Sequence, residues 1–398
     1  MTQANTGYSD RATEKSAEAA AGVVPLLTGA GKLSDFQDIG ERTLLHAGPP
    51  LRDPASACRP LLNAAAAAAM LEGWARTADE ARAMIARGEI ALMPAQDKGV
   101  VVPLAFVAGP GTAMLRVADG NAAGTSMLTS VNDGPPAGAL RFGAPEPRTV
   151  AHLRHLAETV APALDRILEK APIPLLPVAT QALAAGDDLH GQVAASSVAI
   201  IGALCGRLDG GPAADTIAAA GQFFLNLWMG ASALMIRAGA GIGGSAMVVA
   251  AGGNGQEAGL KLAAEPDRWI LLPANPPRGP RLRPDLESLP LLPAIGDSVV
   301  IDACGFGAQA ISFAPTLRDA FGIAASDPIL QAPMRLLRAV HPGFGPLQIR
   351  VGLDGRAISR DAPFHATLAG LDADGNAGLI GRGVALICDD GQGLTATA

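Results

Sequence analysis

Two carboxylates and an imidazole stand within one short stretch, Gly186-Asp187-Asp188-Leu189-His190, where one helical pattern stops and the next begins. Such a set can polarise a carbonyl or position a proton donor. A plainer reading makes Asp187 or Asp188 the cap of the following helix, which leaves His190 unexplained. His46 precedes the turn Ala47-Gly48-Pro49-Pro50, and strand-end residues of this kind often reach ligands. Polar turns set among glycines then recur between Gly221 and Gly307. They are Phe223-Phe224-Leu225-Asn226, Gly243-Gly244-Ser245-Ala246-Met247, Gly252-Gly253-Asn254-Gly255, and Gly296-Asp297-Ser298 running on to Gly305-Phe306-Gly307. Glycine permits positive φ and close backbone approach. These turns are therefore expected to fold together into one pocket of main-chain N–H groups for a small anionic substrate. Taken singly, Asn254-Gly255 and Gly296-Asp297-Ser298 also match ordinary turn chemistry.

Several other chemistries are excluded. The chain holds no Walker A sequence, no Gly-x-Ser-x-Gly elbow, and no dinucleotide fingerprint between a strand and a helix. Cys58, Cys205, Cys304 and Cys388 stand far apart, without zinc or cluster spacing. They read as buried free thiols in a reducing cytoplasm. No metal or cofactor is expected. His152 and His155 share a helix face without a carboxylate or thiol beside them, and read as solvated. Charged residues are only 17% of the 398 and the net charge is −7. So few charges suggest a surface partly covered by partners, hence a homo-oligomer. No basic stripe with interleaved aromatics appears, which argues against nucleic acid. The N-terminus lacks the basic and apolar regions of a signal peptide. The longest apolar runs, Val193–Gly206 and Phe223–Ile236, fall short of the roughly 20 residues of a membrane span. The expectation is a cytoplasmic protein.

The elements that must position these residues alternate in type. Residues 1–35 read as flexible or as one short helix. Arg42–Leu45 reads as a strand, Pro60–Gly73 as an alanine helix, and Thr77–Arg87 as a helix capped by Thr77 with Glu80 at the capping-box position. Strands follow at Ile90–Met93, Val100–Val107 and Thr112–Val117. A boundary is expected at Gly134–Gly138 and Ala144–Pro147. Helical periodicity then runs over Thr149–Lys170 and Leu175–Met235, broken near Gly186 and Gly210-Gly211-Pro212. Beyond it, strands are expected at Ala246–Ala250, Gly259–Leu262, Trp269–Leu272, Ser298–Ile301, Leu347–Val351 and Val384–Cys388. One helix is expected over Asp327–Ala339, and a long proline-rich surface loop over Pro273–Pro293. The fold class is therefore α/β and α+β, multidomain. It comprises an N-terminal segment (1–35), an α/β layer (36–146), a helical middle domain (147–240) and a C-terminal α+β domain (241–398).

The order of the turns resembles the YlbE-like family, the component shared by oxamate carbamoyltransferase complexes of purine (allantoin) breakdown, in subunits of the AllG type. The stretches that carry the resemblance run from Leu45-His46-Ala47-Gly48-Pro49-Pro50 through Gly120-Asn121-Ala122 and Leu140-Arg141-Phe142-Gly143-Ala144. They continue through Gly186-Asp187, His190, Phe223–Asn226, Ser245–Val248, Asn254-Gly255 and Ile295–Ser298 to Gly305–Pro315, and the likeness covers roughly Leu44 to Asp390. Two departures stand out. After Gly186-Asp187 the family typically reads Glu-Cys-His-Asn-Arg-Asn, whereas this chain keeps only the histidine. Where the family carries histidines after a Pro-Cys pair, this chain has Pro94-Ala95-Gln96-Asp97-Lys98.

The resemblance implies transfer of a carbamoyl group between carbamoyl phosphate and an amide nitrogen, as in oxamate giving oxalurate. A tetrahedral oxyanion forms on the way, which preorganised donors stabilise. In that chemistry His190 and His46 would polarise the carbamoyl carbonyl, with Asp187 beside them. Asn226, Ser245, Asn254, Gly255, Ser298 and Gly305 would hold substrate carboxylate or amide. Asp297 would orient a donor or cap a helix, and Arg141 would pair with the anion. The implied partner is a succinyl-CoA synthetase α-like (FdrA-like) subunit. The alternatives are a non-catalytic scaffold subunit, or an amide or imide hydrolase subunit with water as acceptor.

Overall fold

A computed structural model describes residues 7–135, 138–144, 147–359 and 362–387. Cys388, residues 1–6, and Pro136, Ala137, Pro145 and Glu146 of the expected boundary lie outside the described residues. The architecture is mixed α/β and α+β, as the sequence predicts.

The helix Phe223–Arg237 organises the largest core. Every residue from Phe223 to Ile236 except Leu225 is buried, so the helix is apolar on all sides and enclosed. One flank packs on a five-stranded sheet ordered Val100–Val101, Ser126–Ser130, Ala113–Asp119, Pro25–Lys32, Ile173–Pro174. Its Trp228 stacks on Phe224 and meets Phe306 edge-on at 4.9 Å between ring centres. A second core surrounds the alanine helix Arg59–Leu71, where small side chains let elements approach closely. That helix and Ala78–Ala86 cross between the parallel strands Thr43–His46 and Ala91–Pro94. A four-stranded antiparallel sheet (Glu265–Pro273, Glu257–Leu262, Val248–Asn254, Ile295–Gly296) and two hairpins complete the fold.

Several local expectations need correction. Residues 10–21 do form a helix, capped by Ser9, but the strand Pro25–Lys32 follows it into the five-stranded sheet, between Ala113–Asp119 and Ile173–Pro174. That sheet draws on residues 25–32, 100–130 and 173–174, and so runs across the expected divisions at 35/36 and 146/147. Val100–Val107 is two short strands in different sheets, because Pro103 removes a donor and Leu104 turns left-handed at φ +49°. Ser298–Ile301 belongs to the helix Val299–Cys304, where local hydrogen bonding overrides β-branched composition. Asp327–Ala339 breaks into a 3₁₀ turn at Pro328–Gln331, the short helix Ala332–Leu336 and the strand Leu337–Val340, cut by Pro328 and Pro333. The strand Phe364–Leu371 was missed altogether. No single helix among the described residues is long and apolar enough to cross a membrane.

Candidate active site

The turn after Gly186 builds the first part of the site. The Asp188 carboxylate oxygen Oδ1 accepts from the backbone N–H groups of His190 (3.0 Å) and Gln192 (2.8 Å), a local Asx closure. Leu189 between them is held at φ +68°. The Asp188 carbonyl accepts from Gly307 N–H, so the turn is stitched to the segment after Cys304. This aims the His190 ring at Asp302, with Nδ1 2.6 Å from Oδ2. The other Asp302 oxygen accepts from the N–H groups of Ala308 (2.7 Å) and Thr367 (3.0 Å). A carboxylate that only accepts fixes the tautomer: His190 donates through Nδ1–H, and Nε2 is left with a lone pair. Gly307 is obligatory here, because its φ is +58° and a Cβ would lie 2.3 Å from Asp302 Oδ1. Burial pushes the Asp188 carboxyl up to about 6, with Asp302 adding repulsion and the two backbone donors opposing.

His190 lines a cavity of about 90 Å³ together with Ser298, Thr367, Gln222, Arg141 and Arg382. At roughly 30 Å³ per water, that space holds about three waters, which suits one small substrate. Leu104 forms part of the wall, and Leu189 adjoins His190. Leu104 and Leu189 are two of only four non-glycine residues with positive φ among the described residues. Each such conformation costs on the order of 1–3 kcal/mol and persists where surrounding structure imposes it, often at ligand sites.

Of the residues expected from sequence, His190, Arg141 and Ser298 meet at this cavity, and the others do not. The single pocket gathering all the glycine turns is not what the chain builds. Asp187 serves the helix Ala194–Cys205: its carboxylate accepts from Ser196 N–H and Oγ–H and from Ala195 N–H. It satisfies first-turn donors of that helix and does not line the cavity. His46 is sealed in the second core; burial takes it down to about 4, and Nε2 has no partner. Asn226 donates to the Ser130 carbonyl, and Ser245 bonds Ser16 Oγ at 2.7 Å, pinning the N-terminal helix. Gly305 ends the helix Val299–Cys304 tight against the Arg350 carbonyl.

Asp297 ties the Gly48 turn to the sheet. Its carboxylate accepts from Gly48 N–H (2.9 Å), Val102 N–H (2.9 Å) and Gln96 Nε2 (2.6 Å), and burial pushes it up to about 7. Asn254 closes the adjoining hairpin with Gly255 and donates to the Pro49 carbonyl. Gly48, at φ +78°, has no room for a Cβ, which would fall 2.3 Å from the Gly253 carbonyl carbon. Arg141 lines the cavity, but its guanidinium is committed to Asp133 and to the Gly134 carbonyl. His152 and His155 are also partnered, to the Asp133 carbonyl and to Thr216 Oγ1, rather than solvated.

Sequence reasoning missed Asp302, Thr367, Gln222 and Arg382. Asp302 had left a signal: a lone carboxylate inside the apolar run Val299–Cys304 must find buried donors. The three other residues had no motif to mark them.

Comparison with known proteins places the chain. Oxamate carbamoyltransferase subunit AllG of Escherichia coli K12 is 29% identical over 287 residues, covering 69% of this chain and 67% of that protein. An uncharacterized protein of the same organism, YahG, is 29% identical over 291 residues, covering 69% and 60%. The crystal structure of a conserved protein of unknown function from Enterococcus faecalis V583 superposes with a TM-score of 0.86, at 22% identity, over 97% of this chain and 95% of that one. At that identity the likeness speaks for the fold. Residues 90–298, just over half of the chain and including His190, Arg141 and Ser298, match the family described as oxamate carbamoyltransferase subunit AllG, and the chain belongs to that family.

Proposed function

We propose that the chain is a subunit of a carbamoyltransferase-type complex acting on small anionic amides, oxamate or oxalurate with carbamoyl phosphate, in nitrogen-compound catabolism. The observation that carries this reading is the His190–Asp302 pair opening on a cavity of one-substrate size. In the forward direction the amide nitrogen of oxamate attacks the carbamoyl carbon and a C–N bond forms. The carbonyl electron pair moves onto oxygen, then returns as the C–O bond to phosphate breaks and phosphate leaves. The proton lost from nitrogen goes to His190 Nε2, and the imidazolium is stabilised by Asp302. The Ser298 hydroxyl and the Gln222 amide supply donors for the oxyanion, each worth roughly 3 kcal/mol if held in place. The cavity seats one reactant, and bringing the second in line with it at the cavity's mouth supplies much of the remainder. The low charge content supports assembly with other copies and with a succinyl-CoA synthetase α-like (FdrA-like) subunit.

The test is oxalurate formation by the assembled complex from oxamate and carbamoyl phosphate. His190→Ala is expected to lower turnover about 100-fold or more, with folding intact by circular dichroism. Undiminished turnover in that variant removes the mechanism. One observation favours a second reading, a non-catalytic scaffold subunit: the Arg141 guanidinium is already taken by Asp133. Thermal shifts of the isolated chain with oxamate, oxalurate and carbamoyl phosphate separate the two, since a scaffold shows none.

A further inference from the structure

An anionic substrate in this cavity would call for a cationic partner, and Arg141 is already engaged. Its guanidinium donates to Asp133 and Gly134 and lies 4.3 Å from the Phe142 ring centre. The cavity also takes in residues of the hairpin Phe364–Leu371 and Leu379–Ile387. There Thr367 stands opposite Val384, and Ala369 opposite Arg382. Cross-strand partners share a face, and so do residues two apart along a strand. Thr367 and Arg382 are therefore diagonal neighbours on one face, with Cα atoms about 7–8 Å apart. Both line the cavity. Thr367 Oγ1 is buried without a hydrogen-bond partner. Arg382 makes no ion pair among the described residues; its guanidinium carbon lies 6.0 Å from the Phe321 ring centre. Thr367 N–H meanwhile donates to Asp302, so the strand that carries the orphan hydroxyl also braces the His190–Asp302 pair.

We propose that Arg382 and Thr367 form the oxyanion clamp of this cavity. The guanidinium fork holds two oxygens of a carboxylate or phosphate, and the hydroxyl donates to one of them. The inference rests on this cavity being the substrate site and names the residues that would select an anionic substrate there. Both residues lie outside the stretch matched to the family, which ends at residue 298.

The experiment is calorimetric titration of the full-length chain with oxamate, with inorganic phosphate and with neutral oxamide. The wild type is expected to bind at least one oxyanion ten times more tightly than oxamide, and the oxamate and phosphate arms tell which group the clamp seats. Arg382→Gln is expected to weaken that binding roughly 10- to 100-fold, as loss of charged hydrogen bonds does, with partial recovery in Arg382→Lys. Thr367→Val is expected to weaken it roughly 3- to 10-fold. Arg283→Gln, at an exposed arginine paired with Asp285, leaves it unchanged. Unaltered oxyanion affinity in Arg382→Gln overturns the clamp. So does a wild type that binds neither oxamate nor phosphate more tightly than oxamide. A complex that transfers no carbamoyl group while Arg382 still governs oxyanion affinity sinks the reaction alone. Transfer whose KM ignores Arg382 sinks the clamp alone.

Discussion

Asp297 and Asp302 are five residues apart and both fully buried, and each holds two backbone N–H groups: from the distant Gly48 and Val102 at Asp297, and from nearby Ala308 and distant Thr367 at Asp302. The third donor separates them. At Asp297 it is the Gln96 amide, whose other contacts are spent on the carbonyl and N–H of Ala251. The cluster is saturated and can only hold the Gly48 and Val102 segments in place. At Asp302 the third donor is an imidazole, whose second nitrogen belongs to a residue on a cavity wall. The same carboxylate chemistry thus gives a structural knot in one place and a candidate proton relay in the other. What distinguishes them is whether the last polar atom in the chain of contacts has anywhere to go.

The largest expected effect lies at the relay. Asp302→Asn replaces an acceptor with an amide that can present a donor to His190, upsetting the tautomer while nearly preserving shape. Turnover of the assembled complex should fall about 100-fold, approaching but not exceeding the loss in His190→Ala, because Asp302 acts through His190. Near-normal turnover would erase the contrast with Asp297. At the knot the cost should be stability instead. Asp297→Ala strands three buried donors and is expected to cost on the order of 3–5 kcal/mol in urea unfolding. If that variant kept full stability and lost turnover, the two roles would have been assigned the wrong way round.

The smallest effect sharpens the comparison through pH. Burial raises the Asp297 carboxyl from 3.8 to about 7, so the folded chain binds this proton more tightly than the unfolded one. The resulting stability is complete below about 4 and drains away as pH climbs to about 7. Asp297→Asn lacks that slope. Relative to it, the wild type should lose on the order of 2–4 kcal/mol between pH 4 and pH 7. The comparison between variant and wild type matters because His46, lowered to about 4 by burial, acts oppositely below 6.5. Parallel stability curves for the two proteins would mean that Asp297 is ionised throughout.

Much of the fold was legible because local rules decided it. Thr77 caps Ala78–Ala86 through Glu80 N–H, and the helical stretch 149–170 has its expected ends despite a π-helical turn at Leu156–Val160. Elements set by distant partners were not legible. Pro25–Lys32 is a strand because strands on both sides pair with it, not because of its own glycine-bearing sequence. The site divides the same way. His190 was visible as a histidine that no cap could explain. Asp302 lies 112 residues further on, Thr367 on a strand the sequence does not mark, and Arg382 just before the expected strand Val384–Cys388, so only tertiary packing brings them to it. Glycine-set polar turns were a misleading guide, since Asn254, Asp297 and Ser245 spend their polar atoms on joining segments.

The tight seat of Gly307 under Asp302 has a genetic consequence. A single added methyl there would push directly on the carboxylate that steers His190, yet the position touches neither solvent nor the chemistry itself. Random mutagenesis screened for lost growth on the substrate, then filtered for normal protein abundance, should return alleles at this codon.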